Sequence, residues 1–116
     1  MPLVFDPPIH PGEVLREQFL EPLQLSAGTL ARELGVPRTR IERIAKEEMG
    51  ISADTALRLA KYFGTTPNVW LNMQTAYELV LGATQLKDDL EAIEPRNDNR
   101  HPPVGEGLQK KPRRAG

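Results

Sequence analysis

"GVPRTRIERIAKEEMG" occupies residues 35–50, and its reading decides the fold. Arginine or lysine stands at 38, 40, 43 and 46, isoleucine at 41 and 44, and two glutamates at 47 and 48. Residues three or four apart share a helix face, so Ile41 and Ile44 fall together on one apolar side, with Ala45 beside them. Pro37 suits the opening of this helix, which is expected over roughly 37–47. Just upstream, Leu30, Ala31 and Leu34 mark the buried face of another short helix, roughly 27–34, with Ser26 as its N-cap. Gly35 is well placed for the left-handed residue between the two. Two short helices joined by a glycine-containing turn of three or four residues describe a helix-turn-helix. Ala31 supplies the small side chain their close approach needs, and Val36, Ile41 and Ile44 hold the second helix on the first.

Arg38, Thr39, Glu42, Arg43 and Lys46 are left on the outer side of the second helix. In this motif that helix enters the major groove of double-stranded DNA, with its N-terminal residues at base edges. Arginine can grip guanine with two hydrogen bonds, and threonine can reach a base or a phosphate. Glu42 can accept from a cytosine amino group or pair with Lys46 four residues on. The candidate DNA-binding set is Pro37, Arg38, Thr39, Arg40, Glu42, Arg43 and Lys46. The competing reading is a solvated charged face on a helical domain.

Around this motif the chain reads as all-α. "HPGEVLREQFLEPL" is a helix with Pro11 at its first position, Val14, Leu15 and Phe19 as its apolar stripe, and Pro22 as its stop. Ser52 caps "ADTALRLAKYF", whose stripe is Ala56, Leu59, Ala60 and Phe63, and Gly64 ends it. Thr66 and Pro67 start a fifth helix. Trp70, Met73, Tyr77, Val80 and Leu81 recur at helical spacing, and Leu86, Leu90 and Ile93 extend the pattern to about residue 94. Nothing reads as a strand. The organisation expected is an irregular lead-in over 1–9, a helix-turn-helix domain with a C-terminal dimerisation helix over 10–94, and a disordered basic tail over 95–116.

Composition agrees with one domain of modest core: 116 residues, 39% hydrophobic and 27% charged. The net charge of −1 conceals −5 over residues 1–94 and +4 over 95–116, so the basic cluster at 38–46 sits in an acidic body. Such local concentration matters for partner choice because salt screens fields beyond about 10 Å. No run of about 18 apolar residues suggests a membrane span, and the N-terminus does not read as a signal peptide. Cysteine is absent, which excludes disulfides and thiolate sites and fits a reducing cytosol. No cysteine nucleophile, glycine-rich phosphate loop or credible histidine–carboxylate site supports catalysis, so neither an enzyme nor a cofactor is expected.

Outside the motif, several residues admit two readings. His10 reads as a helix cap rather than a metal ligand, since the other histidine, His101, lies in the tail. Trp70, Met73, Tyr77, Val80 and Leu81 are expected at a homodimer interface, with core burial and stacking on a nucleic-acid base as the other readings for Trp70. A repressor that reads two half-sites needs two-fold symmetry, and a short helical core has few other ways to bury these five together. Asp88, Asp89, Glu91 and Glu94 form either a patch for a basic partner or a solvated helix face. The tail, with "KKPRR", is low in apolar residues and rich in Pro, Gly and charge.

"HPGEVLREQFLEPLQLS", "LARELGV", "ISADTALRLAKYFGTTPNVWLNMQ" and "AYELV", in this order and spacing over about residues 10–80, resemble the HigA-type antitoxins within the larger lambda-repressor-like helix-turn-helix group. The resemblance implies a compact five-helix DNA-binding domain that dimerises and represses its own operon. It also implies a partner: a small basic ribonuclease toxin that cuts messenger RNA during translation and is neutralised on binding. A stand-alone regulator of the same fold, without a toxin, is the alternative. Two places depart from the family pattern. "KEEM" stands where relatives often carry Asn-Gly and basic residues, and Ala27 stands where many in the wider group place a phosphate-touching glutamine. For Glu47 and Glu48 three roles stay open: a toxin-facing surface, a lowered DNA affinity, or solubility.

Overall fold

A short hydrogen bond at residue 10 starts the first helix. The backbone N–H of Gly12 donates to Nδ1 of His10 at 2.8 Å, which makes the imidazole the N-cap. The structure is a computed structural model and describes residues 8–96. The expectations for 1–7 and for the tail beyond 96 lie outside the described residues. Pro11 occupies the first helical position, as expected. The helix α1 then runs through three consecutive segments: Pro11–Val14, a π-helical stretch Leu15–Leu20, and Glu21–Leu23. The widened stretch ends two residues before Pro22, with the N–H of Glu21 reaching back five residues to the carbonyl of Arg16. Proline lacks the N–H for an ordinary α-helical bond and crowds the carbonyl four residues back, and a π-turn relieves both problems. The helix therefore passes Pro22 and ends at Gln24, which adopts a left-handed conformation with φ of 51°.

Helices α2 (Ala27–Leu34), α3 (Arg38–Ala45) and α4 (Ala53–Phe63) follow. Ser26 and Ser52 cap α2 and α4, each hydroxyl accepting from the amide three residues on. Gly35 and Gly64 close the same two helices at φ of 74° and 78°, where a Cβ would be strained. Thr66 caps α5, Pro67–Gln85. All of the described regular structure is helical.

The core fills the space that α1 to α5 enclose. Leu15, Leu30, Ile41, Ile44, Leu59 and Trp70 are fully buried. Each such side chain contributes roughly 1.5–3 kcal/mol through its removal from water. Phe19 lies against Phe63 and Trp70, with ring centroids 4.6 and 5.3 Å apart. Gln74 is the buried polar residue that ties α5 to the loop after α3: its Oε1 accepts the Ile51 amide at 2.7 Å and its Nε2 donates to Glu78 at 2.9 Å.

Besides Pro22, which the first helix passes although a stop was expected there, two expectations change here. The fifth helix does not continue to residue 94. It ends at Gln85, and Leu86 takes φ of −99° and ψ of 11°, with its N–H shared between the carbonyls of Gly82 and Thr84. Gly82 lowers helix propensity in this last stretch, and the Thr84 hydroxyl turns back onto the Val80 carbonyl at 3.1 Å. The described residues from Lys87 to Arg96 belong to a separate unit, whose short helix α6, Lys87–Ala92, carries an Lys87–Glu91 ion pair of 2.8 Å. The second change concerns Trp70. It is 0% exposed within its own chain, and its indole N–H donates to the Thr65 hydroxyl at 2.9 Å. A side chain so enclosed has no surface to offer a second copy, so Trp70 is a core residue and not an interface residue.

Candidate nucleic-acid interface

The turn between α2 and α3 is built from three local constraints. Gly35 turns the chain, the Val36 amide donates to the Ala31 carbonyl at 3.0 Å, and Pro37 sits extended as the N-cap of α3. Ala31 is buried at the crossing of the two helices, and Ile41, Ile44 and Ala45 seat α3 on the core. The opposite side of α3 then faces outward by necessity.

That outward side carries Pro37, Arg38, Thr39, Arg43 and Lys46, all exposed. Arg43 and Lys46 have no ion-pair partner among the described residues. The structure separates the remaining two candidates from them. Arg40 turns toward α4, where its guanidinium meets the Asp54 carboxylate at 2.9 Å and the Thr55 hydroxyl at 3.5 Å. Asp54 is held below the usual carboxylate range by its hydrogen bond from Arg58, at 2.7 Å, and then by that from Arg40. Arg40 is thus a brace between α3 and α4. Glu42 pairs with Arg38 at 3.2 Å, not with Lys46.

The glutamates after α3 have distinct places. Glu47 adopts φ of 64°, and its amide donates to the Ile44 carbonyl at 2.9 Å, closing the helix. Its carboxylate lies 3.2 Å from Arg16 of α1. The same guanidinium donates to the carbonyl of Ala45, one of the last α3 carbonyls, and its charge is further favoured by Glu17 at 3.1 Å. Gly12 packs so closely that a Cβ there would lie 1.8 Å from the Ile44 carbonyl oxygen. Gly12 and Arg16 therefore form a clamp on the C-terminal end of α3. Sequence reasoning saw the cap at His10 but not the clamp, because Arg16 meets partners 29 and 31 residues further along the chain. Glu47 is tied into the fold, while Glu48 stays exposed, its amide donating to the Arg43 carbonyl at 2.8 Å.

Three of the five expected interface residues on α5, Met73, Tyr77 and Val80, lie along one groove. Met73, Tyr77 and Val80, with Ala76, line an apolar cavity of about 280 Å³ whose other wall is Pro8, Ile9 and Val14. Leu81 is half-buried, and Tyr77 touches the His10 ring edge-on at 4.8 Å. Val69 and Leu79 are exposed apolar residues of the same helix that periodicity did not single out. No described helix is long and apolar enough to cross a membrane. Among the described residues no group of three or more His, Cys, Asp or Glu side chains could hold a metal.

A short supporting helix, a left-handed turn and an exposed basic second helix define the chain as a helix-turn-helix protein. A helix-turn-helix family model matches residues 16–70. Virulence-associated protein I of Dichelobacter nodosus is 54% identical over 89 residues, 77% of this chain and 82% of that protein. The structure of Pseudomonas aeruginosa antitoxin HigA with the higBA promoter aligns with a TM-score of 0.74 at 42% identity, covering 76% of this chain and 97% of that one. A HigA-family addiction-module antidote protein from Coxiella burnetii aligns with a TM-score of 0.72 at 43% identity, over 77% and 98% of the two chains. The chain belongs to the HigA family of helix-turn-helix antitoxins.

Proposed function

We propose that the protein is a sequence-specific DNA-binding repressor that serves as the antitoxin of a two-gene module, binding a duplex operator in its own promoter. The observation that carries this is the relative captured on promoter DNA, which the chain matches over 97% of that relative's length. The exposed Arg38, Thr39, Arg43 and Lys46 supply the matching chemistry here. They present positive charge and hydrogen-bond donors on the side of α3 that the core leaves free. The role is one of binding and not of catalysis. A DNA target places the protein with the chromosome in the cytoplasm. The partner implied by the family is a small basic ribonuclease toxin, which a largely acidic body suits by charge.

The reading includes a homodimer. The groove at Pro8, Ile9, Val14, Met73, Tyr77 and Val80, together with Leu79, 67% exposed on the same helix, offers apolar surface that a second copy can cover. Two copies related by a two-fold axis present two α3 helices to two half-sites. The test is fluorescence anisotropy with a labelled duplex from the region upstream of the protein's own gene, against a scrambled duplex of equal length. Binding at nanomolar protein with at least about a hundredfold preference is the expected result. Equal affinity for both duplexes overturns the reading. A small basic reading frame beside the gene supports the antitoxin role, and its absence favours a stand-alone regulator.

A further inference from the structure

Gly28 stands in the first turn of α2, where alanine would stabilise the helix and no unusual backbone angle calls for glycine. What lies against it is Arg38. A Cβ on Gly28 would sit 3.1 Å from Cδ of Arg38 and 3.7 Å from its Cγ. The stem of the arginine crosses the bare backbone of the supporting helix. Its head is placed by a second contact, since Glu42 lies 3.2 Å from Nε. The Arg38 side chain is 70% exposed, so neither contact buries it. Together they restrain a long side chain that would otherwise sample many rotamers at the N-terminal end of α3, the end that meets base edges.

The chemistry of the head group depends on which edge is taken. With Glu42 at Nε, the two Nη groups at the far end remain available as a parallel pair of donors. That pair matches the O6 and N7 acceptors of guanine in the major groove. We propose that Gly28 and Glu42 are specificity-determining positioning residues, which together hold Arg38 so that it selects guanine at one position of each half-site. Gly28 acts through the space it leaves and Glu42 through the edge it covers. This rests on the DNA-binding reading above and adds to it the residues that set base choice.

The experiment selects duplexes from a pool with about 20 randomised base pairs, enough for two half-sites one helical turn apart, using the full-length parent, Gly28→Ala and Glu42→Gln. Affinity is then measured on the parent's best duplex and on versions with each base changed. The parent is expected to enrich guanine at symmetry-related positions and to discriminate there by about 10- to 100-fold, the range of a good bidentate contact. Both variants are expected to lose most of that preference, retaining about threefold or less, with other positions unchanged. Gly28→Ala should melt no lower than the parent, because it adds a helix-favouring residue. Glu42→Gln should bind random duplex more tightly, since a negative charge near phosphate is removed. A residue that served only stability would move melting temperature without moving base preference. If the parent selects a motif that both variants keep in full, this proposal is overturned while the DNA-binding reading stands. If the parent enriches no motif, both fall.

Discussion

At the scale of single residues, the contacts between α1 and the end of α3 allow sharp expectations. Gly12→Ala places a methyl group against the Ile44 carbonyl, and rigid backbone on both sides cannot yield cheaply. A loss of about 3 kcal/mol or more in urea unfolding is expected, and a loss below about 1 kcal/mol would show that the helices separate easily. Glu47 carries two opposed effects. Its left-handed backbone costs roughly 1–2 kcal/mol for a residue with a Cβ, an effect that asparagine eases. Its ion pair with Arg16 is half-exposed and worth at most about 1 kcal/mol. Glu47→Asn should therefore match the parent or exceed it by up to about 1 kcal/mol. Arg16→Ala should instead cost about 1–3 kcal/mol, because the Ala45 carbonyl loses its donor as well. The two substitutions compared by chemical denaturation separate the ion pair from the carbonyl cap.

His10 gives a dependence on pH. It is 4% exposed, and its Nδ1 must stay unprotonated to accept from the Gly12 amide. Burial pushes its pKa below the ordinary 6.5, opposed by the nearby Glu47 carboxylate and assisted by the Arg16 charge. The partial positive charge of the helix N-terminus acts in the same direction as burial. A lowered folded-state pKa means that the unfolded chain takes up a proton that the folded chain refuses. The contribution is complete above about pH 6.5 and is lost progressively as pH falls below it. Melting temperature should drop between about pH 7.5 and 5.5, which brackets that value, in the parent and drop less in His10→Asn, where an amide oxygen can cap without titrating. Parallel curves for the two proteins would remove His10 as the cause.

At the scale of the helix, α3 divides its basic residues by task. Arg43 and Lys46 are exposed and have no ion-pair partner among the described residues, so each can give its charge to a phosphate. Replacing either with alanine should weaken binding to every duplex and reduce the salt slope by about one unit. Arg40→Ala should change DNA affinity much less, because that guanidinium is engaged by Asp54 and Thr55. Titrations of the three variants at about 50 and 200 mM salt decide this. An Arg40→Ala slope change as large as that of Arg43→Ala would return Arg40 to the DNA surface. Both ends of α2 and α4 and the start of α5 obey their local signals closely. Ser26, Ser52 and Thr66 cap where they stand, and Gly35 and Gly64 stop where they stand, because these interactions span only three or four residues.

At the scale of the whole molecule, the groove beside α5 makes the dimer a question of solution state. Leu79 is exposed within the chain, so Leu79→Asp should leave circular dichroism and melting of the monomer intact while shifting sedimentation toward the monomer. Operator affinity should fall with it, since two half-sites are then bound without linkage. A parent that sediments only as monomer at micromolar concentration would sink the dimer.

The residues themselves determined whatever rests on neighbours in sequence. The helical period placed Leu30, Ile41, Ile44 and Leu59 inside, and the turn chemistry placed Gly35 between two helices. Ile41 and Ile44, once inside, left Arg38, Thr39, Arg43 and Lys46 outside, so most of the exposed face of α3 was legible from helical spacing alone. What tertiary structure alone decided is the second partner of each ambivalent side chain. Trp70 had the spacing of an interface residue, yet Phe19 and Thr65 enclose it in the core. Arg40 had the composition of a DNA contact, yet Asp54, fourteen residues on, claims it. Glu47 had the sign of a repulsive charge, yet Arg16, thirty-one residues back, claims it. A charged or aromatic side chain satisfies whichever partner the fold brings within a few ångströms. Periodicity records the direction in which such a side chain leaves its helix and carries no term for what waits there.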